Sequence, residues 1–401
     1  MVLLIHPGTQ YSYQLAKQLV RHRKLSEFWT GFALIKESWY LPAIETFLPY
    51  SWRRKLSNRM LYDVPASYVR LKPMLALKPI YGLRRGRSPQ VVFHEFNGAF
   101  QRKVSRLSLG RADAIIGFDT ASWILAERAG ALGKPYFLDQ STAHPSAKEP
   151  VWRRVAATFP QWREKLEPRV PCVLEAENRE HQLSTRIVVA STYTKHTLIT
   201  QGVPAEKIVI NPYGVDINKF YPNRGARAAR PMRFLFLGAV CAMKGVPLLL
   251  EAWEVLGGEG CELWLAGSIT DRERSLIPPL PGLKILGKRP HSELPELLRQ
   301  CDVLVFPSYS DGFGLVLLEA LASGLPVITT EATGGPDLIQ DGKEGFIVQS
   351  GNLSELCRAM KFFVDNPGRL AEMSVAARLC AERFTWEAYG DRWNKLLEEY
   401  V

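Results

Sequence analysis

Nothing in this sequence stays apolar for long. No run approaches the roughly 18 uncharged apolar residues that a membrane-spanning helix requires, and the first apolar stretch, Val2–Ile5, halts at His6-Pro7-Gly8, too short for the core of a secretory signal. The expectation is a cytosolic protein. Six cysteines (Cys172, Cys241, Cys261, Cys301, Cys357, Cys380) are scattered without a C-x-x-C pair or a histidine at ligand spacing. They read as reduced, mostly buried thiols, which excludes a disulfide framework and a structural zinc site. Low-complexity tracts and fixed-period repeats are also missing, so a solenoid is excluded. With 46% apolar and 23% charged residues the composition is that of an ordinary globular protein.

What is present is length, patterned charge and alternation. The 401 residues suffice for two or three domains of about 150 residues each. The net charge of +11 is uneven: residues 1–112 hold 19 Lys/Arg against 5 Asp/Glu, and the remainder is slightly acidic. That asymmetry points to a localised anionic partner. From residue 112 short apolar runs alternate with helical patterns, the signature of a parallel sheet. Strands are expected at 112–119, 134–140, 186–190, 207–211, 233–238, 262–266, 283–286, 302–307, 326–330 and 345–348, with 2–5 and 28–32 opening the first sheet. Two doubly wound α/β domains follow. The polar, proline-bounded YPNRGARAARP at 221–231 reads as an exposed linker. Asn352 and Glu355 form a capping signature, and Trp386, Tyr389, Trp393, Leu396 and Leu397 give the last helix one apolar face.

The chemistry concentrates in DVLVFPSYSDGFGLVLLEALASG at 302–324, a buried strand, a polar loop and a helix beginning near Leu315. Such a loop lies at the carboxyl end of a parallel strand, where ligands of open α/β sheets bind. The N–H groups of Gly312, Phe313, Gly314 and Leu315 form a cradle for phosphate or sugar oxygens. Glu319 is the one charge on an otherwise apolar helix. A carboxylate there needs partners, either ligand hydroxyls or an internal Arg or Lys. Upstream, Lys244 sits on a short strand-to-helix loop, suited to a diphosphate or simply solvated.

Together these segments resemble glycosyltransferase family 4, retaining enzymes of the GT-B fold. The resemblance rests on KIVINPYGVD at 207–216, GAVCAMKG at 238–245, PSYSDGFGLVLLEALASGLPVI at 307–328 and GGPDLIQDGKEGFIV at 334–348. It implies a nucleotide sugar as donor, two Rossmann-like domains facing across a cleft, and no cofactor or metal; no D-x-D triplet is present to hold a divalent ion on a nucleotide. We take 1–212 as the acceptor-side domain, 213–384 as the nucleotide-sugar domain, and 385–401 as a helix returning to the first. By the resemblance Asp311 holds hydroxyls of the transferred sugar, Glu319 binds the ribose, Gly312 to Leu315 cradle sugar and phosphate, and Lys244 neutralises the leaving diphosphate. His144, after the strand ending at Gln140, corresponds to the family's cleft histidine.

Two departures stand out. Ala239 replaces the arginine usual five residues before the lysine, with Lys288 or Arg289 as candidate substitutes, and Asp311 replaces a glutamate. The basic first domain, with Trp52, Arg53, Arg54 and Lys55 near Leu48, and Leu71, Met74, Leu75 and Tyr81 among Arg70, Lys72, Lys78, Arg84, Arg85 and Arg87, suits docking on an anionic membrane surface or is a solvated face. No nucleic-acid motif accompanies the charge. Other GT-B enzymes, a phosphorylase or a nucleotide-sugar epimerase, and a non-catalytic nucleotide-sugar-binding subunit are the alternatives.

Overall fold

The structure, a computed structural model, describes residues 1–8, 11–35, 59–75, 78–162, 169–223, 230–258 and 260–401. Among them, the first sheet has seven parallel strands: β1 (Val2–His6), β2 (Leu25–Thr30), β5 (Val69–Leu71), β6 (Ala114–Phe118), β7 (Tyr136–Gln140), β8 (Arg186–Val189) and β9 (Ile208–Ile210), in the order β5-β2-β1-β6-β7-β8-β9. β3 (Leu34–Ile35) and β4 (Met60–Leu61) form a separate parallel pair. β1, β6 and β7 are buried at every position. Helices on both faces explain why VLLI, AIIGF and YFL are continuous apolar runs rather than alternating ones, and the buried polar residues His6, Asp139 and Gln140 stand at the carboxyl ends of β1 and β7.

The second sheet contains β10 (Met232–Leu237), β11 (Cys261–Ala266), β12 (Leu283–Gly287), β13 (Val303–Phe306), β14 (Val327–Thr330) and β15 (Gly345–Val348), in the order β12-β11-β10-β13-β14-β15. Both orders reverse once, between β1 and β6 and between β10 and β13. At such a reversal successive loops leave in opposite directions and open a crevice beyond the strand ends. The fold therefore creates two crevices, one in each domain.

The chain crosses between the domains twice, side by side: Val215 N–H donates to Phe384 O at 2.9 Å, and Val215 bridges Thr385. The final helix, Trp386–Glu398, then lies on the first domain. Its buried face is Tyr389, Gly390, Trp393, Leu396 and Leu397, the stripe its spacing predicts. Tyr389 donates its hydroxyl to Asp139 at 2.9 Å, and Arg392 donates to Asn211 Oδ1 at 2.6 Å and Pro212 O at 2.7 Å. Half of the capping box forms: Glu355 N–H donates to Asn352 Oδ1 at 3.0 Å, but the Asn352 N–H goes to Gln349 O and the Glu355 carboxylate takes the Gln349 N–H at 2.7 Å. Most of the basic linker and the cluster Leu48 to Lys55 lie outside the described residues.

Candidate functional site

The second crevice is built from the loops after β10 and β13. The first runs through a tight turn, Ala242–Lys244, into the helix Val246–Leu256. Gly245 joins them at φ +74°, where a Cβ would stand 2.0 Å from Pro307 O, so only glycine fits. The loops are tied together: Tyr309 N–H and the Ser308 hydroxyl both donate to Met243 O, at 2.9 and 3.2 Å. This packing places the Lys244 ammonium on the Asp311 carboxylate in an ion pair. The other Asp311 oxygen accepts from Phe313 N–H at 3.1 Å. Both side chains keep access to solvent, 25% for Lys244 and 19% for Asp311.

The helix Leu315–Ala322 begins after Gly314 with no side-chain cap. No described acceptor takes the N–H groups of Gly312, Gly314 or Leu315. Unsatisfied donors at a helix start form an anion site, and these follow directly on Asp311, the residue that meets Lys244. The Phe313 N–H is already committed to Asp311. The helix is not buried all round: Leu315, Val316 and Glu319 form a half-buried stripe. Among the described residues, no arginine pairs with Glu319. His291 Nε2 donates to its Oε1 at 2.8 Å, and Lys219 donates to His291 Nδ1 at 2.7 Å. This relay lies at the rim, His291 being 51% exposed.

The remaining predicted residues are placed differently. Ala239 is exposed, as are Lys288 and Arg289, and Arg289 lies 3.7 Å from Glu293. His144 stands just beyond β7 and is 4% exposed. Its Nδ1 accepts from Ser146 N–H at 3.2 Å, capping the helix Pro145–Thr158, and its ring lies 5.3 Å from that of His181. Burial lowers the His144 pKa, with the Asn178 bond opposing.

In the first crevice a cavity of about 380 Å³ is lined by His6, Gly8, Asn97, Asp119, Arg169 and neighbours. Burial pushes His6 down to about 4 and raises Asp119, against hydrogen bonds from the Ser141 hydroxyl and N–H. A second cavity, about 150 Å³, shares Gln90 and Arg169 with it and adds Lys148 and Trp152. Sequence reading did not single out His291, Lys219 or Asp119. Asp119, the residue after β6, was findable from the rule that crevices follow strand ends; the other two have no local signal. Among the described residues, no group of three His, Cys, Asp or Glu is placed to hold a metal ion, and no helix is long and apolar enough to cross a membrane.

Residues 231–366 match the family model described as Glycosyl transferases group 1. The solved structure of HepE from Anabaena in complex with UDP aligns over 99% of both chains, with a TM-score of 0.63 at 15% identity. Sucrose-phosphate synthase from Thermosynechococcus elongatus aligns over 99% of this chain and 98% of its own, with a TM-score of 0.66 at 18% identity. The chain has the GT-B fold. Among curated relatives, this GT-B chain is 32% identical over 216 residues to a D-inositol 3-phosphate glycosyltransferase of Streptomyces scabiei, covering 46% of each. It is 27% identical over 201 residues to an amylovoran biosynthesis glycosyltransferase of Erwinia amylovora, covering 47% of this chain and 49% of that one. The chain thus spans about half the length of the curated relatives it matches.

Proposed function

We propose that this protein is a retaining glycosyltransferase that moves a sugar from a nucleoside diphosphate to an acceptor hydroxyl. The observation carrying the proposal is the meeting, at the second crevice, of a cation, an acid and an uncapped helix start. The family match over that domain and the names of the relatives support it. When a donor binds, Lys244 turns from Asp311 to the diphosphate, and Asp311 takes up sugar hydroxyls. The N–H groups of Gly314 and Leu315 stabilise charge that grows on the phosphate oxygens as the anomeric C–O bond breaks. The acceptor oxygen bonds to the anomeric carbon on the same face, and its proton passes to the departing diphosphate. Glu319 exchanges the His291 ring for ribose hydroxyls.

UDP sugars are the first donors to test, because HepE structures are described in complex with UDP and UDP-glucose. The acceptor enters the first crevice, between Asp119 and Arg169. D-inositol 3-phosphate belongs in the acceptor panel because relatives are named for it. The basic, apolar surface around Met74, Ile80, Tyr81 and Leu83, exposed by 76%, 48%, 59% and 39%, brings the enzyme to the cytoplasmic face of an anionic membrane.

Thermal-shift measurements with UDP, GDP and ADP sugars test the reading, since a ligand that binds the native state raises its melting temperature. A shift with one nucleotide class that disappears in Lys244→Ala is expected. No shift with any sugar nucleotide, and no transfer across an acceptor panel, would overturn the assignment.

A further inference from the structure

The loop that carries Asp311 is finished by the other domain. Ser191 and Thr194 open the first-domain helix Thr192–Ile199 and are wholly buried. Both donate their hydroxyls across the domain boundary to the carbonyl of Gly312, at 2.6 and 2.9 Å. Around them, Tyr193 donates to the Ser310 hydroxyl at 2.8 Å, and Thr192 N–H donates to Asp337 at 2.8 Å. Gly312 itself is pressed against the first domain: a Cβ there would lie 2.1 Å from Ser141 O.

A peptide plane is rigid, so the direction of the Gly312 C=O sets the direction of the Phe313 N–H. That N–H donates to Asp311 Oδ1, and the second Asp311 oxygen meets Lys244. Orientation therefore passes through one peptide from two first-domain hydroxyls to the acid that the proposed function assigns to the donor sugar. We infer that Ser191 and Thr194 are positioning residues that set the Asp311 carboxylate for sugar transfer when the domains are together, leaving nucleotide binding to the second domain alone. The inference rests on the proposed function for what Asp311 holds, and on the hydrogen bonds for how it is held.

Within the clamp, Ser191 has a second task, since its Oγ also accepts from Thr194 N–H at 3.1 Å and caps the helix. Thr194→Val is the cleaner variant: it keeps the volume and the cap and removes one donor to Gly312. Gly312→Ala attacks the same joint from the other side by forcing the Ser141 carbonyl away.

Two readouts separate the inference from the reading beneath it. The first is amide exchange over residues 310–316 in the protein alone, with no substrate involved. Thr194→Val and Gly312→Ala are expected to exchange the Phe313 amide at least about fivefold faster, the size of one lost hydrogen bond, and Thr194→Ser to match wild type. The second is catalysis with UDP-glucose, or the donor found by thermal shift: Thr194→Val is expected to lower kcat about tenfold while UDP affinity changes less than threefold, with Thr194→Ser recovering kcat. Wild-type exchange in both variants would overturn the inference whatever the substrate. Faster exchange with unchanged kcat would also overturn it, because the clamp would then hold the loop without serving transfer. Failure of wild type to bind any sugar nucleotide would instead remove the functional reading, and exchange would still decide whether the hydroxyls hold the peptide.

Discussion

Lys244 and Asp311, on loops leaving adjacent strands β10 and β13, are ion-paired at the point where the second sheet reverses its strand order. Each group neutralises the other until a diphosphate and a sugar hydroxyl replace them. The pair is partly exposed, so its removal alters chemistry more than folding.

Lys244→Ala is accordingly expected to lower kcat/KM for donor turnover by about 10²–10³, the size seen when one preorganised charge-stabilising group is lost. Its melting temperature should stay within about 2 °C of wild type. Steady-state kinetics and calorimetry check this, and a large loss of stability with normal turnover would contradict it.

Glu319 and His291 give a contrasting pair. Glu319→Ala is expected to raise the donor KM by about tenfold or more, because a hydrogen bond to a charged group contributes about 1.5–3 kcal/mol, with a smaller effect on kcat. His291→Ala should leave donor KM within about threefold, since ribose hydroxyls replace the imidazole on the carboxylate. Equal KM effects from both variants would mean that the ring belongs to the donor site rather than occupying Glu319 in its place.

Asp139 predicts a pH effect on stability. Burial pushes its carboxyl up to about 8, with the Tyr389 and Tyr11 hydroxyls opposing and the Asp119 charge adding. An unfolded chain loses that proton near pH 4. Between these values the folded protein holds a proton that the unfolded chain has released, so this group's stabilisation is complete below pH 4 and is lost as pH rises towards 8. Asp139→Asn keeps an acceptor for Tyr389 and cannot ionise. Relative to wild type it should gain at least about 2 kcal/mol between pH 5 and pH 8.5, read by chemical denaturation. Parallel pH profiles for the two proteins would show that Asp139 stays ionised when folded.

The surface around Tyr81 predicts salt-sensitive adsorption. Arg85 stacks on the Tyr81 ring with 4.2 Å from guanidinium to centroid, and Met74 and Ile80 are exposed as well. Co-sedimentation with vesicles containing phosphatidylserine should occur at low salt and weaken severalfold at 0.5 M salt, as screening shortens the electrostatic reach. Met74→Asp combined with Tyr81→Asp should abolish it while leaving UDP binding intact. No binding to anionic vesicles would remove the membrane proposal.

Much of the architecture was legible in the residues themselves. Buried strands such as AIIGF and VLVF are short apolar runs, and helices starting at Val246 and Leu315 begin where glycines end the preceding loops. Glu319 stood out as the one charge on an apolar helix and Lys244 by its place on a short strand-to-helix loop, whereas Asp311 was reached through the resemblance to glycosyltransferase family 4. His291 and Lys219 did not stand out, because a half-exposed histidine on a loop has no local signature; its meaning arises only when the chain brings Glu319 to it from 28 residues away.

By itself, then, the order of residues determined which segments become strand and helix, where two sheets arise, and which loops carry charge at strand ends. Local periodicity and burial cost are enough for that. Tertiary structure alone decided that Lys244 meets Asp311, that His291 reaches Glu319, and that Ser191 and Thr194 reach Gly312 from another domain. Those pairings depend on distances between segments as far as 121 residues apart, which packing sets and no local pattern records.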